Sequence, residues 1–99
     1  MGFLFYMNTD IDISAALSLA SEGRVEEAIA LLGDMAAVCS DCDEVFFCRG
    51  KLLWKLGRRA EATSDYIKAV SINPSSKAAR ALEMARAVES FFNPDLLNP

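Results

Sequence analysis

The chain has 99 residues, of which 53% are hydrophobic and 24% charged, a balance that suits one globular domain with a modest core. A net charge of −4 argues against general nucleic-acid binding. The absence of histidine removes imidazole acid/base catalysis, Ser-His-Asp and Cys-His nucleophiles and every His-ligated metal site.

The charge is uneven along the chain. Residues 1–42 hold seven acids and one base, and residues 43–76 hold four acids and six bases. Solvated faces with a local sign bias explain this. So does a bipolar groove that orients a charged ligand, or head-to-tail self-association.

Residues 1–8 form an apolar extension. The run Met1-Gly2-Phe3-Leu4-Phe5-Tyr6-Met7 is too short to span a membrane, and it lacks the basic start and cleavage site of a signal peptide. It reads as an extended start with Met7 as the working initiator, as a cover over the first hairpin, or as a self-docking segment. With an odd count of three cysteines, the chain reads as cytoplasmic.

Asn8, Thr9 and Asp10 are cap candidates for a first helix ending near Ser21, with Ile11, Ala15, Ala16 and Leu19 on one face. Asp10 and Asp12 suit its positive end. Gly23 breaks it. A second helix runs from about Val25 to Val38 and buries Ala28, Ile29, Leu32 and Met35. Residues 39–42 are a junction in which Ser40 or Asp41 caps the third helix. That helix places Val45, Phe46, Leu52, Leu53 and Leu56 inward, and Gly57 ends it. The fourth carries Ala60, Ala62, Tyr66, Ile67, Ala69 and Val70, and Asn73-Pro74 stops it. Turns this short make each pair antiparallel. Gly50, Ala62 and Ala69 allow close approach, and Tyr66 and Phe46 fill the wider gaps. Ser75-Ser76 starts a fifth helix reaching about Phe92. Its stripe of Ala81, Leu82, Ala85 and Val88 packs on the fourth. Asn93-Pro94 ends it, and a tail follows.

One register relates the two halves. Gly23-Arg24 recurs as Gly57-Arg58, an offset of 34 residues. At that offset Glu27-Ala28 matches Glu61-Ala62, Leu19 matches Leu53, Ala16 falls on Gly50, Leu32 on Tyr66 and Met35 on Ala69.

Residues 43–74 resemble a tetratricopeptide repeat. Gly50, Gly57, Ala62, Tyr66, Ala69 and Pro74 fill the family's small and aromatic positions, with Phe46 in place of the usual tryptophan and Leu53 of the usual tyrosine. Arg49 departs from the pattern, where leucine is usual, and must snorkel out or pair with an acid. Residues 9–42 resemble a diverged first repeat, with Asp12 at the tryptophan-like position and Ser40 at the proline position. Residues 43–76 make the second unit, 77–92 resemble the solvating helix that closes such arrays, and 93–99 are a tail. The whole also resembles small stand-alone bacterial proteins of two repeats and one helix, which share an ending like Phe91-Phe92-Asn93-Pro94-Asp95-Leu96-Leu97-Asn98.

The resemblance implies an all-α, right-handed superhelical stack of antiparallel hairpins with five helices. It implies a non-enzymatic adapter, assembly factor or small chaperone holding a protein or peptide segment in a concave groove. No cofactor, metal, nucleic acid or membrane is expected. A secretion-type chaperone, an accessory to a redox enzyme such as a 2-oxoacid:ferredoxin oxidoreductase, and a homodimer are the alternatives. Carried over by position, the groove is lined by Ile13, Leu17, Ala20 and Ser21. The third helix adds Glu44, Phe47, Lys51, Trp54 and Lys55, and the fifth adds Ala81, Ala85, Val88 and Glu89. The basic clamp that some members use for acidic C-terminal peptides is not reproduced, because its asparagines are missing. Independently of the family, Phe47 and Trp54 form a second stripe beside Lys51 and Lys55, a hot-spot composition. The alternative is that both aromatics pack under the first and fifth helices.

Cys39-Ser40-Asp41-Cys42 is a C-x-x-C pair with Cys48 following. Redox pairs usually open a helix beside a sheet, and none is expected. Three thiolates fall short of an iron-sulfur set. Structural cysteines, a metal site completed by a carboxylate or second chain, and redox regulation all stay open.

Overall fold

The computed structural model describes residues 13–92, with side chains through Glu89. The apolar start, the cap candidates Asn8, Thr9 and Asp10, the positions Ile11 and Asp12, and the tail lie outside the described residues. Within them the chain is all helical: α1 Ile13–Ser21, α2 Val25–Val38, α3 Asp43–Lys55, α4 Arg59–Ile72 and α5 Ala78–Phe92. Each helix packs on the next. Asn73, just past α4, reaches Asp43 at the start of α3 with its amide, 3.4 Å away, as antiparallel helices require.

Both hairpin turns are built alike. Gly23 has φ +88° and Gly57 has φ +83°, a conformation that costs a side-chain-bearing residue about 1 kcal/mol or more. Nothing lies within 4 Å of a Cβ built at either glycine, so backbone sign and not space selects it. The Gly23 amide donates to Ala20 O (3.0 Å) and the Arg24 amide to Leu19 O (2.9 Å). The Gly57 amide donates to Trp54 O (2.9 Å) and the Arg58 amide to Leu53 O (2.9 Å). The following helices have no side-chain cap at Arg24 or Arg58. Instead each arginine forks onto the acid three residues on, Glu27 or Glu61, at 2.6–3.0 Å. The arginine in each fork holds its carboxyl partner below the usual range. These pairs are exposed and fix local geometry more than stability.

The junctions differ from expectation at one point. Neither Ser40 nor Asp41 caps α3; Cys42 occupies the N-cap, without a side-chain cap bond. Residues 39–42 close a turn in which the Cys42 amide donates to Cys39 O (3.3 Å), which leaves Ser40 and Asp41 at its apex. Ser76 performs as expected: its Oγ accepts from the Ala78 amide at 3.0 Å.

The core runs through every helix, from Ala16 and Leu32 to Val45, Leu53, Tyr66 and Ala85. α3 lies between α2 and α4, so it buries a wide arc that includes Val45, Cys48 and Leu52 as well as Phe46 and Leu53. Three residues of the expected apolar series face out, among them Ala60 in the first turn of α4. Leu56 is 39% exposed because α3 ends at Lys55 and the turn carries it away. Ile67 is 46% exposed because Ala62, Asp65, Tyr66 and Ala69 define the buried stripe of α4, and Ile67 is one residue off it.

Gly33 sits inside α2, and a Cβ there would meet only Arg49 Nη1, at 3.3 Å. Glycine in a helix interior costs about 1 kcal/mol against alanine. Gly33→Ala is therefore expected to gain about 0.5 kcal/mol after the arginine shifts, raising the melting temperature by about 3 °C. A lower melting temperature would mean that the Arg49 head cannot give way.

Candidate functional site

The outer face of α3 is set by helical phase. Glu44, Lys51 and Lys55 recur on the side opposite the buried arc and are exposed. Phe47 and Trp54, seven residues apart, fall on the border and are half-buried against the core. Lys51 Nζ lies over the Phe47 ring, 5.4 Å from its centroid. The inner side of Phe47 meets Tyr66 of α4, with centroids 6.3 Å apart and planes tilted by 40°. Trp54 is covered similarly, with Arg59 Cζ 5.4 Å from its ring centroid. Both aromatics thus pack against the core while each carries a cation over its ring, the arrangement that favours cation–π contact.

The basic residues of the chain differ in their partners. Arg24, Arg49 and Arg58 each pair with a carboxylate of the same chain. Among the described residues neither Lys51 nor Lys55 forms an ion pair, and Lys51 instead rests over the Phe47 ring. Asp43 and Glu44 stand in the first turn of α3 and Lys55 in the last. The face is acidic at its amino end and basic at its carboxyl end, aligned with the helix dipole.

The other residues expected to line a groove are distributed differently. Ile13 is half-buried against the core and Leu17 is 48% exposed on α1, which packs on α2. Ala20 is half-buried, and exposed Ser21 turns its hydroxyl back onto Ser18 O at 2.8 Å. On α5, Ala81 and Val88 are half-buried and Glu89 is exposed. Ala85 meets the expectation of a packing stripe on α5 and corrects that of a groove lining. It is 2% exposed, a core residue packed inward with Ala78 one heptad earlier, and cannot line an open groove.

A second cluster lies between α2, α3 and α4. Arg49 does pair with an acid: Nε donates to Asp65 Oδ2 at 2.7 Å and Nη2 to Oδ1 at 2.8 Å. Asp65 is 6% exposed. A shallow pocket of about 320 Å³ opens here, lined by Ile29, Arg49, Leu53, Arg58, Glu61, Ser64 and Asp65. Asp65 was not marked by the sequence reading. Its signal was a charged residue in the buried phase of α4, facing another in the buried phase of α3. Burial, then the neighbouring Asp65 carboxylate, pushes the Tyr66 phenol up.

The C-x-x-C pair is joined: Cys39 and Cys42 form a disulfide, with Cα atoms 5.6 Å apart. An odd cysteine count had pointed to reduced thiols. Asp41 adds a carboxylate, so three potential metal-ligand atoms lie within 4.8 Å of one another. Two of them are the bonded sulfurs. Cys48 is free and buried, and burial pushes its thiol up.

No helix among the described residues is long and apolar enough to cross a membrane. The chain matches no family model, no curated protein and no solved structure.

Proposed function

We propose that the chain is a non-enzymatic docking module of tetratricopeptide type, whose α3 face holds an acidic helical or extended segment of a partner protein. The observation that carries this is the pair of ammonium groups without a carboxylate partner, Lys51 and Lys55, beside the half-buried rings of Phe47 and Trp54. An acidic segment would supply the missing carboxylates and lie against Phe47 and Trp54. Ile13, Leu17 and Val88 flank the face in the superhelical reading, with Glu44 selecting a basic residue at the opposite end. The recurrence of the same turn bonds, glycine geometry and arginine fork at an offset of 34 residues supports a repeat of this kind.

A face one helix long buries at most the lower range of stable interfaces, about 1,200 Å² in total. The expected affinity is accordingly modest, with Kd about micromolar. Truncating Phe47 or Trp54 would disturb the core as well as the face, so the decisive variant is Lys51→Glu/Lys55→Glu. Titrating it and the wild type with helical peptides of acidic, neutral and basic composition tests the reading. Acidic peptides should bind the wild type and lose about tenfold in affinity to the variant, from two lost rim pairs plus repulsion. Equal binding by a variant of unchanged helicity would remove the lysines from any docking role.

A further inference from the structure

The junction between the two hairpins carries chemistry that docking does not use. Cys39 is the C-cap of α2, its amide donating to Met35 O at 2.8 Å, and Cys42 is the N-cap of α3. We infer that the half-buried Cys39–Cys42 pair is a reversible dithiol–disulfide site that exchanges two electrons with external thiols.

Three features of the junction support reversibility. The bond closes a loop of sequence separation 3, and so short a loop restricts the unfolded chain little, which makes it a weak static brace. The turn has its own backbone bonds, Cys42 N to Cys39 O at 3.3 Å and Val45 N to Cys42 O at 3.1 Å, which hold the two sulfurs near each other once reduced. Cys42 also stands at the amino end of α3, where the dipole favours a leaving thiolate. The third cysteine does not compete: Cys48 lies in the buried arc of α3, and burial disfavours its thiolate.

The exchange balances. An incoming thiolate attacks one sulfur of the pair, forming a mixed disulfide as the Sγ–Sγ bond breaks and its electron pair leaves on the other sulfur. A second thiolate attacks the external sulfur of that mixed disulfide and releases the remaining cysteine. The external thiols become a disulfide, and the two protein thiolates take up protons. Asp41, with Oδ1 3.4 Å from Cys39 Sγ, and the neighbouring Asp43 and Glu44 repel anionic thiols. An uncharged dithiol is therefore the better partner than glutathione.

The site adjoins the amino end of the α3 docking face at Glu44, and it is told apart by its readout, which is sulfur chemistry. The full chain is equilibrated in reduced and oxidised dithiothreitol at varied ratio, and separately in glutathione. It is then acid-quenched, unfolded, alkylated and weighed. The expected result is a reversible transition between one and three alkylated cysteines, with Cys39 and Cys42 changing together and helicity retained. Dithiothreitol should act at least threefold faster than glutathione at equal thiolate. Cys48→Ser should keep the transition and Cys42→Ser should abolish it. Three free thiols under the most oxidising ratio would overturn the inference. So would a bond that survives millimolar dithiothreitol without denaturant, a bond to Cys48, or glutathione adducts in place of the internal bond.

Discussion

Arg49→Ala is expected to cost about 3 kcal/mol of stability, through the charge it strands. Asp65 lies 6% exposed against the core and gives both carboxylate oxygens to the guanidinium. Without the arginine, a buried carboxylate has neither counter-charge nor donors. Whole domains of this length are stable by only about 5–15 kcal/mol. The loss should lower the melting temperature by roughly 15 °C. The reverse truncation should be milder. The Arg49 side chain is 26% exposed, so in Asp65→Ala it can turn to water, at a cost of about 1.5 kcal/mol. Replacing both with leucine should return the chain to wild-type stability or above, since apolar packing substitutes well for a buried ion pair. Urea melts of the two single variants and the double variant measure all three. A single Arg49→Ala loss below about 1 kcal/mol would show that the pair is solvated and holds nothing.

Gly50→Ala should cost about 2 kcal/mol by overpacking. A Cβ there would sit 2.7 Å and 2.8 Å from Tyr66 ring carbons and 3.2 Å from Ala62 O. The tyrosine is 4% exposed in the core, with the Phe47 ring 6.3 Å away between centroids, so its ring has little room to retreat. The gain of about 1 kcal/mol in helix propensity is outweighed. The first hairpin shows the alternative solution, with Ala16 and Leu32 at the positions equivalent to Gly50 and Tyr66, both fully buried. Adding Tyr66→Leu should therefore relieve Gly50→Ala, making the two changes non-additive by more than about 0.5 kcal/mol in a double-mutant cycle. Strict additivity would mean that the close approach is not what glycine serves.

The hairpin turns and several helix ends were legible because they depend on local chemistry, whereas the cap of α3 fell on Cys42 and not on Ser40 or Asp41. Gly23 and Gly57 announced positive φ, Asn73-Pro74 announced a stop, and Ser76 announced a cap. The close approach at Gly50 was legible because glycine inside a helical stripe has few other uses. Contacts between helices were less so. Arg49 advertised a need for an acid, but its choice of Asp65 follows from how α3 and α4 face each other, which no local spacing encodes. Leu56, Ala60 and Ile67 were misplaced because apolarity was read as burial where the helix ends and the one-residue phase decide. Ala85 was assigned to a groove by analogy of position, whereas the packing of α5 turns it into the core. At the candidate site, spacing put Phe47 and Trp54 beside the lysines. It could not reveal that Arg59, from the next helix, covers the tryptophan. Nor could it show whether Cys39 and Cys42 bond, since that depends on the turn bringing their Cα atoms to 5.6 Å.

The decisive measurement is an amide chemical-shift map of the full chain titrated with an acidic helical peptide. If α3 is the docking face, the largest shifts fall at Glu44, Phe47, Lys51, Trp54 and Lys55, shrink as salt is raised, and need about tenfold more peptide in Lys51→Glu/Lys55→Glu. Shifts centred on the Arg49–Asp65 pocket or on α5, or a map unchanged by the charge reversal, would contradict the assignment of this face.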